Sequence, residues 1–300
     1  MSSLLLMQAI ASGIVTGCVY ALVALSLVII YKSTDVINFA GGELVMFGAY
    51  VGLLSLVYFK FNYAIMFFLA VIVVAIVGAL FERITLTTII GRRYSAQIDL
   101  VPLVVATIGL SYLLKGAVRV VPYTEEVRRL EPLVAGPPVF FYDVILQQQD
   151  LAIIAVTAII MIALSVFFNF TITGKALRAA SQNPRAAVLV GIPVGKMRMA
   201  VWALASAIAA VAGILLAPKL MMTPDFGIVV LLAFAAATIG GFSSEFGCVV
   251  GGIILGIVQN FVGLLLSPQA ISVTPFFVIM IVVMLRPQGL FGKTIPTKKV

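Results

Sequence analysis

Two polar residues interrupt an apolar stretch in the first part of the chain. Asn38 and Glu43 lie within residues 36–59, beside Gly41 and Gly42. A carboxylate in a lipid bilayer is costly unless it faces protein or water, and irregular backbone at membrane depth persists only where it is shielded from lipid. If the glycines break a helix here, the segment can line a pathway. Alternatively, Asn38 caps a helix whose first turn holds Glu43, and the two interpretations are compatible.

A second polar interruption lies in the other half of the chain. Its turn-forming and polar residues are Gly240, Gly241, Ser243, Ser244 and Glu245. The glycines that follow, at 247, 251, 252 and 256, have the small-xxx-small spacing that predicts close helix packing. Two glycine-interrupted segments, one in each half, are also typical of a translocation route. We therefore include Gly240, Gly241 and Ser243 among the candidate pathway residues.

The third candidate is a basic stretch at residues 173–198, which holds five basic residues and no acidic one. Within it, Asn183 and Pro184 are suited to the N-cap and first position of a helix. Gly191 suits a left-handed stop, and Pro193 prevents the helix from resuming. A helix of about two turns is marginal alone and needs a docking surface. That surface could be a partner protein, the chain's own transmembrane domain or the membrane interface.

Other chemistry finds no support in the sequence. The chain has no histidine, no metal-ligand spacing, no phosphate-binding Walker A motif and no G-x-S-x-G turn. Cys18 and Cys248 both lie in apolar runs, which is typical of buried thiols. We therefore predict no catalytic residue, no metal, no cofactor and no enzyme activity.

The composition places these candidates in a membrane protein. The chain is 63% hydrophobic and 10% charged, with a mean hydropathy of +1.22. A soluble fold could not bury so much apolar surface, so we predict an all-α, polytopic integral membrane protein. The net charge of +8 is explained by basic loops between spans and requires no nucleic acid.

Nine apolar segments could cross or enter the membrane. They run over residues 4–31, 36–59, 62–82, 98–118, 151–172, 199–217, 227–246, 248–267 and 270–286. Three are short or interrupted: 36–59, 227–246 and 270–286. If all cross, there are nine spans and the amino terminus is outside; if one is re-entrant, there are eight and it is inside. We read the start of the chain as the first span rather than a signal peptide.

The loops between these segments set the orientation. Residues 83–97, 173–198 and those after Arg286 are rich in basic residues and are predicted to be cytoplasmic. Residues 119–150 carry both signs of charge and suit an external loop. Residues 100–109 resemble residues 231–240, so two repeated halves remain an open alternative. We predict that residues 1–300 form a single transmembrane domain.

Four stretches of the chain resemble the Liv-type permeases of ABC importers for branched-chain amino acids. They are INFAGGELVMFGAYVG (Ile37–Gly52), GKALRAASQNPRAAVLVGI (Gly174–Ile192), IGGFSSEFGCVVGGIILGIVQ (Ile239–Gln259) and RPQGLFG (Arg286–Gly292). They occur in the family's order and spacing, and the likeness covers essentially the whole chain. The resemblance implies a permease subunit in the bacterial cytoplasmic (inner) membrane that forms the translocation pathway.

The resemblance also implies partners and a site for one of them. Residues 173–198 would contain the coupling helix that docks on an ATPase subunit. Its contact or framing residues would be Arg178, Asn183, Pro184, Arg185, Ala186, Ala187, Leu189 and Gly191. The partners implied are a second permease subunit, identical or homologous, two cytoplasmic ATPase subunits and an external substrate-binding protein.

One departure bears on the solute. Gly41 stands where the family often has histidine, so permeases for urea, short amides or other small organic solutes remain an alternative. A secondary transporter without an ATPase is the second alternative.

Overall fold

A computed structural model describes residues 3–91, 100–121, 129–141 and 144–292 of the chain. The helices are α1 (Ser3–Thr34), α2 (Gly41–Val57), α3 (Tyr63–Phe81), α4 (Thr87–Gly91), α5 (Val101–Val120), α6 (Gln148–Phe170), α7 (Ile172–Gln182), α8 (Pro184–Leu189), α9 (Val194–Leu216), α10 (Val229–Gly240), α11 (Glu245–Leu265) and α12 (Ala270–Leu285). A π-helical turn (Glu82–Leu86) joins α3 to α4, and a 3-10 turn (Phe226–Ile228) precedes α10. Strands β1 (Val139–Phe141) and β2 (Val144–Leu146) pair antiparallel.

Six helical stretches of the described residues are long and apolar enough to cross a bilayer. They are Leu4–Thr34, Tyr63–Ile90, Val101–Val120, Gln148–Phe170, Val194–Leu216 and Glu245–Leu265. Three shorter apolar helices, Gly41–Val57, Phe226–Gly240 and Ala270–Leu285, correspond to the segments that the sequence marks as short or interrupted. The helical class is thereby confirmed. The number of crossings, eight or nine, stays a prediction, as does the repeat of two halves.

Two helices form the centre of the bundle. In the most apolar part of α1, 89% of the residues are buried, and in the most apolar part of α9, 72% are buried. In the other four long helical stretches, the buried share is only 17% to 33%. The outer helices therefore present broad apolar faces outward, as helices in a hydrocarbon solvent do.

Glycines let α1 lie directly against α11. A Cβ added at Gly17 would lie 2.6 Å from the Cα of Ile253, and one at Gly256 would lie 2.3 Å from the Gly13 carbonyl oxygen. At Gly251 a Cβ would lie 2.2 Å from the Ala236 carbonyl oxygen of α10. The prediction that the glycines of α11 allow close helix packing is confirmed.

Helix α9 is packed equally closely against α2 and α3. A Cβ at Gly213 would lie 2.1 Å from the Val45 carbonyl oxygen of α2. On the α3 side, a Cβ at Gly78 would lie 2.1 Å from Ser206 Oγ, and the Phe81 and Trp202 rings are 5.2 Å apart. Neither contact leaves room for a methyl group, so α9 is closely packed against both α2 and α3.

The two ends of the bundle hold different loops. At the end that we call the hairpin end, the Gln8 side chain exchanges two 2.9 Å hydrogen bonds with the backbone of Ile145, and Lys219 pairs with Asp150. The start of α1, the β-strand pair and the start of α6 thus lie together there. Glu125, Glu126, Arg128 and Asp143 of the predicted external loop lie outside the described residues.

The opposite end, which we call the basic end, gathers the segments predicted to be cytoplasmic. Arg198 pairs with Glu82, and Lys32 pairs with Glu245. The ring of Phe246 packs against that of Phe291 at 5.7 Å. Residues 92–99 and 293–300, with Arg92, Arg93, Lys293, Lys298 and Lys299, lie outside the described residues.

Candidate functional site

The short helix predicted in the basic stretch is present and is capped as expected. Asn183 is the N-cap of α8, and its side-chain oxygen accepts a hydrogen bond of 3.1 Å from the Ala186 N–H. Pro184 occupies the first helical position. Gly191 has φ +83°, and its N–H donates to the Val188 carbonyl at 3.0 Å. The predicted cap, length and stop are therefore confirmed.

Helix α8 buries one side chain and exposes its apolar tip. Ala187 is only 3% exposed, whereas Val188 and Leu189 are 60% and 88% exposed. The side chain of Arg185 lies outside the described residues. An exposed aliphatic tip on a rigidly capped helix is suited to contact with another protein.

A second helix, α7, supports α8 and is missing from the sequence-based prediction. The Thr171 hydroxyl caps it by accepting from the Gly174 N–H at 3.0 Å. A Cβ at Gly174 would lie 2.1 Å from the Phe167 carbonyl oxygen, so the start of α7 lies directly against the end of α6. Leu177 is buried, and Arg178 donates to Asn169 Oδ1 at 3.0 Å. Its signal in the sequence is the apolar spacing of Gly174, Leu177 and Ala180, all buried.

A buried ion pair fixes the start of α9, where the basic stretch enters the bundle. Arg198 Nε donates to Glu82 Oε1 at 3.1 Å, and the Thr87 hydroxyl donates to the same oxygen at 3.1 Å. Glu82 is 1% exposed and opens the π-helical turn. Sequence reasoning missed this pair, because its partners are 116 positions apart.

The first pathway candidate lies at an interruption between α1 and α2, but the glycines do not make that interruption. Helix α1 ends at Thr34, Asp35 has φ +54°, and α2 begins at Gly41. The prediction that Gly41 and Gly42 break the helix is wrong, since both are helical. They serve close packing instead: a Cβ at Gly42 would lie 1.9 Å from the Gly227 carbonyl oxygen, and one at Gly41 would lie 2.6 Å from Leu27.

The contact of Gly41 with Leu27 shows that the segment between α1 and α2 folds back along the last turns of α1. Leu27 lies seven positions before the last residue of α1, which is about 10 Å of helix rise. Val36 and Ala40 are buried, and the Phe39 ring lies 5.9 Å from that of Phe234 in α10. Helix α2 therefore begins inside the bundle.

Asn38 and Glu43 flank this start. The N-cap of α2 is Ala40, so the prediction that Asn38 is the cap residue is wrong by two positions. Asn38 Oδ1 accepts from the Ala40 N–H at 3.0 Å, and Glu43 lies in the first turn as predicted. Among the buried side-chain atoms of the described residues, Asn38 Nδ2 and Glu43 Oε2 have no hydrogen-bond partner.

The second pathway group lies at the basic end. Gly241 has φ +97° and ends α10, and a Cβ at Gly240 would lie 2.0 Å from the Gly247 carbonyl oxygen. The predicted turn is present, and Ser244 caps α11 through the Gly247 N–H at 2.9 Å. A cavity of ≈ 500 Å³ there is lined by Ser243, Glu245, Lys32 and Arg178.

A hydrogen-bonded segment closes this end. The N–H groups of Leu290 and Phe291 donate to the Ile239 and Gly240 carbonyls at 2.8 and 3.0 Å. Residues 286–292, which we call the carboxyl-terminal clasp, thus complete the last turn of α10. Gly289, with φ +78°, lies against Gly241.

The structure does not bring the two pathway groups together. Gly42 and Gly41 contact Gly227 and Val230 at the start of α10, whereas Gly240 and Gly241 end it. The 12 residues of α10 span about 18 Å. In the described part of the chain, no group of three or more Cys, Asp or Glu residues could hold a metal ion.

Comparisons with known proteins agree with this architecture. The model of the family described as branched-chain amino acid transport system, permease component, matches residues 9–284. The chain is 28% identical over 301 aligned positions to the high-affinity branched-chain amino acid transport system permease protein BraD of Pseudomonas aeruginosa, with 96% of each chain covered. It is 29% identical, with the same coverage, to the permease protein LivH of the corresponding system of Escherichia coli K12.

A likeness to a solved structure concerns the fold alone. PsaBC from Streptococcus pneumoniae in complex with Fab superimposes with a TM-score of 0.50 and 14% sequence identity. The match covers 95% of this chain and 92% of that one.

Proposed function

Because this chain belongs to the family of permease components of branched-chain amino acid transport systems, we propose that it is the transmembrane subunit of an ATP-driven ABC importer for these amino acids. It is a multi-pass membrane protein, and we place it in the bacterial cytoplasmic membrane. Its partners in this proposal are a second permease subunit, two ATPase subunits and an external binding protein. The relatives matched over 96% of the chain support this assignment.

The observation that carries the coupling role is the geometry of α8. Its cap and its glycine stop fix a helix of 6 residues, and its exposed Val188 and Leu189 have no apolar cover from the described residues. We assign the ATPase contact to this helix, framed by Arg178, Asn183, Pro184, Arg185, Ala186, Ala187, Leu189 and Gly191. Since the sequence has no nucleotide-binding motif, the energy for transport would enter through residues 173–198.

A continuous route of tight packing leads from α8 to the interruption. Gly191 and the two residues after it connect α8 to α9, and Arg198 ties the first turns of α9 to Glu82. Further along, Gly213 lies against Val45 of α2. A displacement of α8 would therefore move α9, and with it the helix that begins beside Asn38 and Glu43.

We place the translocation pathway along α10. Asn38, Gly41, Gly42 and Glu43 would line its middle, and Gly240, Gly241 and Ser243 would line its cytoplasmic side. The amino terminus would be external, because Gln8 lies at the hairpin end with residues 144–150, opposite the basic end. This arrangement corresponds to the nine-span alternative.

A substitution at the tip of α8 tests the coupling role. We expect Leu189→Glu to abolish both co-purification of the ATPase subunits and ATP-dependent uptake, because it puts a charge into an apolar contact. Val120→Glu is the matched control, since Val120 is 83% exposed but ends α5 near the hairpin end. Unchanged uptake by the Leu189 variant would exclude α8 as the coupling helix.

The solute is tested separately. Calorimetric titration of the external binding protein with leucine, urea and small amides should give heat with leucine only. Binding of urea or an amide instead would leave the permease role intact and change the solute.

A further inference from the structure

The start of α2 has an unusual set of unsatisfied hydrogen-bonding groups. Asn38 is 1% exposed, yet its Nδ2 donates to no partner, and one carboxylate oxygen of Glu43 is buried without a donor. Burying such groups costs roughly 1–3 kcal/mol each when they stay unpaired. A ligand that supplied one acceptor and one donor would satisfy both.

The two groups lie at the same helix start. The Asn38 amide is held there because its Oδ1 accepts from the N–H of Ala40, the N-cap of α2. Glu43 is in the first turn of the same helix, five positions away. The N-cap residue Ala40 offers no side-chain acceptor to this turn, and the Gly41 N–H donates to the Asn38 carbonyl at 3.4 Å. The amino-terminal end of a helix that begins inside a membrane protein attracts anionic groups of a solute.

Asn38 and Glu43 favour ligand groups of opposite charge. The Asn38 N–H and the positive end of the α2 dipole favour a carboxylate, whereas the Glu43 carboxylate favours an ammonium group. Beside them, the Phe39 ring is 42% exposed and packs against Phe234, which gives an apolar surface reachable from outside the core. The combination suits a small zwitterion with an aliphatic side chain.

Two other unpartnered polar atoms of the described residues, both on α9, do not offer this combination. Trp202 Nε1 and Ser206 Oγ also lack a partner. They lie on α9 where it packs against α3, and a Cβ at Gly78 would come within 2.1 Å of Ser206 Oγ. Neither group carries a charge, so neither would attract the charged groups of a solute.

We propose that Asn38, Glu43 and the first turn of α2 form a transient binding site for the carboxylate and the ammonium group of an α-amino acid. Asn38 Nδ2 holds the carboxylate and Glu43 holds the ammonium. The inference rests on the proposed function, because it assumes that an amino acid passes through this chain. It adds that the permease itself recognises both charged groups.

Ligand-observed NMR on the purified complex of permease and ATPase subunits tests the site without the binding protein. The probes are leucine, isocaproate, which lacks the ammonium group, and leucinamide, which lacks the carboxylate. We expect the wild-type complex to prefer leucine over each analogue about tenfold, as a single hydrogen bond to a charged group allows.

Each variant should remove one preference. Glu43→Gln should abolish the preference for leucine over isocaproate and keep that over leucinamide. Asn38→Asp keeps an oxygen for the Ala40 N–H but replaces the donor, so it should abolish the preference over leucinamide. Ser55→Ala is the matched control, because Ser55 is a buried polar residue of α2 whose hydroxyl already donates to the Val51 carbonyl. It should keep both preferences.

The outcomes separate this site from the proposed function. A wild-type complex without preference overturns the site even if no variant assembles, and so do variants that keep both preferences. If the wild-type complex, supplied with the external binding protein, nevertheless takes up leucine with ATP in proteoliposomes, the importer assignment stands and only the site fails. If it takes up no leucine, the proposed solute fails.

Discussion

The basic end and the α1–α2 interruption each hold a glutamate and an asparagine that bear on function. The two regions differ in how far the hydrogen-bonding groups of these side chains are satisfied. Glu82 is almost fully buried and accepts from Arg198 and Thr87, whereas Glu43 keeps a buried oxygen without a donor. The Oδ1 atoms of Asn183 and Asn38 both accept from a backbone N–H, but the buried Asn38 leaves its Nδ2 unpartnered. Buried polar groups in proteins are nearly always satisfied. At the basic end these groups are therefore satisfied within the chain, whereas the interruption keeps unused hydrogen-bonding capacity.

The largest difference between the two regions should be in stability, when the buried glutamate of the basic end is removed. Glu82→Ala leaves Arg198 partly buried and unpaired, which should lower the free energy of unfolding by about 3–5 kcal/mol. Chemical unfolding in detergent measures it. The double variant Glu82→Met with Arg198→Met should lose much less, because no charge stays unpaired. If Glu43→Ala were as damaging as Glu82→Ala, the two carboxylates would not differ as described.

The helix that connects the two regions should be sensitive to one methyl group. Gly213→Ala would force a Cβ to within 2.1 Å of the Val45 carbonyl oxygen, at a cost of about 1–3 kcal/mol, and should reduce uptake relative to ATP hydrolysis. Gly195→Ala on the same helix is the control, since nothing lies within 4 Å of its added Cβ. Equal effects at both positions would mean that the contact of α9 with α2 is unimportant.

Removing the cap of α8 should have a smaller and local effect. Asn183→Ala loses the hydrogen bond from the Ala186 N–H, worth about 1 kcal/mol. Amide hydrogen exchange of residues 185–190 should accelerate, and co-purification of the ATPase subunits should weaken. Asn183→Asp retains a capping oxygen and should behave like the wild type. Slow exchange in the alanine variant would indicate that packing of Ala187, rather than the cap, holds α8.

The smallest effect on stability is expected at Glu43. Glu43→Gln removes a partly buried charge that has no partner, so the free energy of unfolding should change by less than about 0.5 kcal/mol or rise. Uptake of leucine should nevertheless fall about tenfold in proteoliposomes. If the variant loses stability and uptake together, Glu43 stabilises the fold as Glu82 does.

Local signals in the sequence gave the most reliable predictions. The cap at Asn183, the stop at Gly191 and the packing glycines of α11 depend on a few neighbouring residues, and all three are found. The pairing of Glu82 with Arg198 depends on how α3 and α9 are arranged in space, which no local pattern encodes. The assignment of the interruption to Gly41 and Gly42 failed because glycine serves two purposes. In this protein Gly42 allows the close approach of Gly227. The preceding helix, α1, ends at Thr34, just before Asp35, and not at the glycines.

The carboxyl-terminal clasp has a consequence for how the protein is made. The carbonyls of Ile239 and Gly240 receive their hydrogen bonds from Leu290 and Phe291. During synthesis, α10 is therefore complete some fifty residues before its last turn can be closed. We expect the translocon, or a chaperone on the cytoplasmic side, to protect this end until translation has passed Phe291. Assembly with an ATPase subunit would then begin only on a finished permease.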